Sequence, residues 1–136
     1  MKNQLRVLVC GGRDYHDWKM LSHVLRSVDN SYESTDNVGP ISCIISGGAP
    51  GADRMAARWA RDNDIPLEEY EASWYLYGSR AGYMRNEAML NEGLPDLVVA
   101  FPGGEGTAHM TKIAKKANCK VIEIKEPHLS WPGPGV

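Results

Sequence analysis

A chain of 136 residues suits one compact domain with a core of its own. Its 43% hydrophobic and 24% charged residues exclude a disordered or fibrous class, and folding needs no disulfide or metal. The formal net charge of −2 leaves no basic surplus to neutralise phosphates, so a general nucleic-acid binder is not expected.

The N-terminus MKNQLRVLVCGG has too short an apolar stretch for a signal peptide. No window approaches the roughly 18 apolar residues of a membrane span, so a cytoplasmic protein is the expectation. Apolar runs then follow in order: LRVLVC (5–10), ISCIIS (41–46), DLVVAF (96–101) and KVIEI (120–124). They are rich in Val, Ile and Leu without clean alternation, as strands covered on both faces of a parallel sheet are. LEEYEA (67–72) is a weaker candidate for an edge strand.

Helical spacing lies between these runs. Trp18, Leu21, Val24, Leu25 and Val28 form one stripe, and Ala52, Met55, Ala56, Trp59 and Ala60 a second. Ala81, Met84 and Ala88, with Met89 and Leu90 beside them, form a third. Thr107, Met110, Ile113, Ala114 and Ala117 form the fourth and most regular. Residues 30–40 read as a loop. The chain therefore divides into a domain over 1–125 and a Pro/Gly-rich tail over 126–136, whose Trp131 could dock on the body or on a partner. Alternating strands and helices predict a single α/β Rossmann-like domain. Its sheet is doubly wound and mostly parallel, with about five strands and helices on both faces. Ligands of such sheets bind at the C-terminal strand edge, at a topological switch point.

Three strands run into glycine-rich turns that open helices: CGGRD (10–14), SGGAPGAD (46–53) and FPGGEGT (101–107). Such a turn exposes N–H groups and the positive end of a helix dipole, which suits an anion. One such turn can equally be a simple bend. Three on the same edge favour a shared ligand with a phosphate, a nucleotide or a sugar phosphate. The candidate binding residues are Gly11, Gly12, Arg13 and Asp14 in the first turn. In the second they are Ser46, Gly47, Gly48, Ala49, Gly51, Ala52 and Asp53, and in the third Pro102, Gly103, Gly104, Glu105, Gly106 and Thr107. No Lys follows the glycines as a Walker loop requires, and Ala49 and Ala52 break the dinucleotide fingerprint. No cofactor is expected.

The segment WYLYGSRAGYMRNEAM (74–89) adds Trp74, Arg80, Gly82, Arg85 and Asn86. The arginines are candidate phosphate clamps and Asn86 a ribose or base contact, against the alternative of a solvated helix face. Arg13 and Asp14 could instead form a local salt bridge, and Asp53 could simply favour its helix dipole. Tyr15, Trp74 and Tyr77 could stack on a base or pack in the core. The four histidines show no metal-ligand spacing, and His109 alone lies beside a glycine turn. Cys10, Cys43 and Cys119 read as structural thiols.

The runs VCGGRDYHDW, IISGGAPGADRMAARWA, AGYMRNEAM and VVAFPGGEGTAHM, in this order, resemble the YspA-like, YpsA-related branch of the SLOG superfamily. That superfamily also includes the Lonely Guy phosphoribohydrolases and the DNA-processing protein A group. The resemblance spans about residues 5–124. It implies a Rossmann-like fold and a nucleotide or nucleotide-derived ligand, such as an ADP-ribose-like or cyclic molecule, sensed or sequestered. In the Lonely Guy enzymes the third turn reads PGGxGTxxE. Pro102, Gly103, Gly104, Gly106 and Thr107 match, but the Glu position holds Met110. Their arginine corresponds to Arg85. A hydrolase would have to use another carboxylate, with Glu105 and Asp53 as candidates beside Asp14 and Glu87. A nucleic-acid accessory role is a further alternative. Relatives of this kind often self-associate, and Trp59, Tyr83 and Met89 are the residues expected to supply an interface for a homo-oligomer, dimer or higher.

Overall fold

The computed structural model describes residues 4–30 and 41–125. The expected loop beyond Asn30 and the 126–136 tail with Trp131 lie outside the described residues. Five strands form one parallel sheet: β1 Leu5–Cys10, β2 Ile41–Ser46, β3 Leu67–Glu69, β4 Leu97–Ala100 and β5 Lys120–Glu123. The helices are α1 Trp18–Asp29, α2 Ala52–Asp62, α3 Trp74–Tyr77, α4 Ala81–Gly93 and α5 Glu105–Lys116, with a single 3₁₀ turn at Gly78–Arg80. The strand order is β3-β2-β1-β4-β5, so the order reverses between β1 and β4. Both neighbours of β1 run parallel to it, with Val7 opposite Ile44 on one side and Leu97 on the other. This is the expected Rossmann-like α/β architecture.

The central strands feed both layers, which is why their sequences do not alternate. Val7, Val9, Ile44, Leu97 and Val99 face α1 and α2. Leu8, Cys43, Ile45, Val98 and Ala100 face α4 and α5. On α2, the small residues Ala52, Ala56 and Ala60 at i,i+4 spacing let the helix lie close to the sheet, and Trp59 fills the space beside them. Leu21, Leu25, Ile44, Phe101 and Met110 are fully buried. Each such side chain contributes about 1.5–3 kcal/mol. Cys10 and Cys43 are buried free thiols and Cys119 is half-buried.

Four expectations are corrected. The stripe on α4 is not Ala81, Met84 and Ala88. Ala81, Asn86, Met89 and Gly93 face inward and Met84 is exposed. The reason is polar: a buried carboxamide on Asn86 bonds across to α5 and sets the rotation of the helix. On α5 the buried residues are Met110, Thr111 and Ala114, while Ala117 at its C-cap is exposed. The strand expected over 67–72 pairs with β2 only through Leu67–Glu69. Trp59 and Met89 are each 2% exposed, one in each core layer, so neither can supply an interface. Among the described residues the exposed large apolar side chains are the expected Tyr83, with Met84 beside it, then Trp74, Tyr75, Leu76 and Tyr77 on α3 and Leu94 after α4.

Candidate functional site

A cleft of about 1260 Å³ opens at the C-terminal edge of the sheet, over the β1/β4 switch point. The three glycine turns meet there through Gly12. Its N–H donates to Pro102 O at 2.8 Å, and its carbonyl accepts from Ala52 N at 3.1 Å. One residue thus ties the first turn to both others.

The second turn is folded on itself. Ala49 N donates to Asp53 Oδ2 at 3.1 Å, Gly48 N to Ser46 Oγ at 3.3 Å, and Ser46 Oγ to Asp53 O at 3.2 Å. Arg85 crosses from α4 and donates from Nη1 to Gly47 O at 2.7 Å. A side chain on Gly47 would collide with this guanidinium and with Asp53. Gly51 has φ +82° with Gly12 O and Arg13 against it, a conformation and a space that admit only glycine.

The third turn is open. Gly104 caps α5 without a side-chain hydrogen bond. The amides of Glu105, Gly106 and Thr107 open the helix, where no intrahelical acceptor exists. A Cβ built on Gly104 or Gly106 would meet nothing within 4 Å, and neither has positive φ. Among the described residues, neither glycine is demanded by packing. Gly103 differs, since a Cβ there would meet Gly12 N at 2.7 Å.

Of the residues singled out in the sequence, the first turn (Gly11, Gly12, Arg13, Asp14) and the whole third turn line the cleft. So do Ala49, Asp53, Trp74, Gly82, Arg85 and Asn86. Ser46, Gly47, Gly48, Gly51 and Ala52 lie behind the wall, and Arg80 lies outside it. Arg13 and Asp14 are both exposed and form no ion pair with each other among the described residues. Tyr15 lines the cleft with its ring 5.4 Å from that of Phe101, whereas Tyr77 does not line it.

Asn86 is 5% exposed and its carboxamide is engaged at both ends. Nδ2 donates to Gly106 O at 3.0 Å and lies 3.2 Å from His109 Nδ1, and Oδ1 accepts from Arg85 Nε at 3.3 Å. It therefore fixes the first turn of α5 against α4. Beside it, the Tyr83 and His109 rings pack at 4.5 Å, and Tyr83 donates to Glu105 Oε1 at 3.4 Å.

Asp53 lies at the cleft floor and is 6% exposed. Burial pushes its carboxyl up to about 6, against the Ala49 N–H bond and the charges of Arg85 and Arg13, which favour the anion. Burial in turn lowers the pKa of Arg85, against the attraction of Asp53. The Cys10 thiol beside them is pushed far up by burial and is not a thiolate. Met110, at the position of the hydrolase carboxylate, is 0% exposed in the core under α5 and does not reach the cleft.

Sequence reasoning did not anticipate that Glu123, Ile124 and Lys125 at the end of β5 extend the cleft, nor that Tyr83 lines it. Parallel order beside β4 was the available signal for the former. Among the described residues, no cluster of three metal-ligating side chains is found, and no helix is long and apolar enough to cross a membrane.

The fold resembles that of DNA processing protein A from Streptococcus pneumoniae, with a TM-score of 0.70 at 16% identity. The match covers 93% of this chain and 52% of that protein, so the chain spans about half its length. In sequence, the chain is 34% identical over 126 residues to the Gene 61 protein of Mycobacterium phage D29, covering 88% of this chain and 95% of the relative. Residues 5–77 match the model of the YspA, cpYpsA-related SLOG family, and the chain belongs to that family.

Proposed function

We propose that the cleft binds a nucleotide or nucleotide-derived small molecule, of the ADP-ribose or cyclic-nucleotide kind, to sense or sequester it. The observation that carries this reading is the open third turn. Gly104 and Gly106 leave space that no described residue fills, beside helix-opening amides that suit a phosphate. Glycine is a poorer helix former than alanine, by up to about 1 kcal/mol, and among the described residues no packing requires it at Gly106 in the first turn of α5. Arg13 and Arg85 supply positive charge on the same wall. Asn86 serves by holding α5, since its carboxamide is already engaged. At about 1260 Å³ the cleft has room for a ligand as large as ADP-ribose as well as for a mononucleotide. Calorimetric titration with ADP-ribose, AMP and cyclic AMP tests it. Saturable binding of at least one is expected, and no heat from any of them would refute it.

A second reading, a nucleotide hydrolase with a non-standard carboxylate, is favoured by one feature. Asp53 is a buried acid at the cleft floor with a pKa near the working range of a general acid or base. It predicts release of free base, lost in Asp53→Asn while binding persists. Intact ligand after long incubation would end it.

We extend the first reading to self-association through α3 and the start of α4. Trp74 and Tyr83 belong both to the exposed apolar patch and to the cleft mouth, so a second copy seated there would complete the cleft wall. Sedimentation of Tyr75→Ser/Leu76→Ser should show a shift toward monomer; an unchanged profile would remove the patch from the account.

A further inference from the structure

The net charge of −2 hides a segregation of charge that the fold makes visible. On α1, Lys19, His23 and Arg26 stand at i,i+4,i+7 spacing, opposite the buried face formed by Leu21, Leu25 and Val28. On α2, Arg54, Arg58 and Arg61 repeat that spacing, opposite Ala52, Ala56 and Ala60. All six side chains are exposed. The two helices cover the same face of the sheet and share one core cluster, so the two rows lie side by side on one outer surface. Arg58 joins them, with its guanidinium 4.0 Å over the Trp18 ring of α1.

The acids near these rows sit at the helix ends. Asp17 caps the start of α1 and Asp29 lies in its last turn, Asp62 ends α2 and pairs at 3.6 Å with Arg58, Asp64 follows α2, and Asp53 is buried. The middle turns of both helices carry only the basic rows on their outer face, and further carboxylates sit elsewhere, as Glu69 and Glu71 around β3 and Glu87 and Glu92 on α4. Five permanent cations on one face of an overall acidic protein, four of them outside the Arg58–Asp62 pair, form a local footprint of the kind that phosphate backbones recognise. Neighbouring helices pack about 8–10 Å apart. Two such rows match the paired backbones flanking a groove of a duplex better than one extended strand.

We propose that the outer face of α1 and α2 docks on the phosphate backbone of a nucleic-acid duplex, without reading its sequence. This surface is separate from the cleft edge, and the inference does not rest on the ligand reading above. The test is fluorescence anisotropy of the full chain with a labelled duplex of about 30 base pairs at several salt concentrations. The comparison variant is Lys19→Gln/Arg26→Gln/Arg54→Gln/Arg61→Gln. It keeps Arg58 because that residue braces Trp18. Binding at 50 mM salt is expected, weakening as salt rises with a log–log slope of about −0.9 for each phosphate neutralised. The variant should keep the parent melting temperature within a few degrees, lose at least tenfold in affinity and show a flatter salt slope. Absence of binding at low salt, or equal affinity of a folded variant, would overturn the proposal. So would equally tight binding of poly-glutamate, which would assign the face to an acidic protein, or of a single strand, which would remove the two-row argument.

Discussion

The second and third glycine turns read alike in sequence, yet the structure uses their glycines in opposite ways. Around SGGAPGAD the missing side chains are filled by the protein itself: Arg85 lies against Gly47, and the first turn lies against Gly51. Around FPGGEGT, Gly104 and Gly106 face unfilled space. Glycine in the second turn is therefore a folding requirement, whereas Gly106 in the third meets no packing among the described residues and is a small cost to folding that a ligand can justify. Stability and binding should separate along this line.

The largest effect is expected at Gly51. Alanine there must adopt φ +82° and place its Cβ against Gly12 O and Arg13. A loss of about 3–5 kcal/mol follows from the left-handed penalty and the backbone clash together. Urea unfolding of Gly51→Ala measures it, and a loss under about 1 kcal/mol would break the contrast from the folding side.

Asp53 comes next. Its carboxyl rises from the ordinary 3.8 to about 6 in the fold because burial disfavours the anion. Below about pH 4 the folded and unfolded states both carry the proton, so this group leaves stability unchanged. As pH rises from about 4 to 6 the unfolded chain releases its proton first, and stability falls. Above 6 the full penalty remains, roughly 3 kcal/mol at about 1.4 kcal/mol per pH unit, as an upper figure. Asp53→Asn can still accept from Ala49 N–H. Its melting temperature should exceed the parent's at pH 8 and match it near pH 4. A constant difference across this range would contradict the burial argument.

Asn86→Ala leaves Gly106 O without its donor and frees Arg85 Nε. A loss of about 1–2 kcal/mol is expected from the hydrogen bonds of the buried carboxamide, together with weaker ligand binding. Faster hydrogen exchange at the start of α5 would locate the effect. Unchanged exchange there would show that Asn86 does not hold the turn.

Much of the fold could be read from the residues. LRVLVC and ISCIIS are β1 and β2 residue for residue, because central strands covered on both faces leave continuous apolar runs. The edge strands are shorter than LEEYEA and KVIEI suggest, since beyond Glu69 and Glu123 one bond each, from Tyr70 N to Ser46 O and from Ile124 N to Ala100 O, continues the pairing. The rotation of α4 was not legible. An apolar periodicity cannot foresee that Asn86 will be buried by a carbonyl 20 residues away, or that Arg85 will reach Gly47 O 38 residues back. The cleft's place at the strand edge followed from the topology. Which glycines face it did not, because space around a residue is a tertiary property. Trp59 and the α3 aromatics show the same limit, as hydrophobicity alone did not separate the buried indole from the exposed ones.

The smallest change in stability should accompany the sharpest change in binding. Gly106→Ala places a methyl group in open space and removes a helix glycine, so the folded state should gain up to about 1 kcal/mol. The most direct test is calorimetric titration of Gly106→Ala with the probe among ADP-ribose, AMP and cyclic AMP that the parent binds, beside its melting curve. The account predicts a melting temperature at or above the parent's with affinity reduced tenfold or more. Parental affinity in this folded variant would contradict the claim that the open third turn holds the ligand.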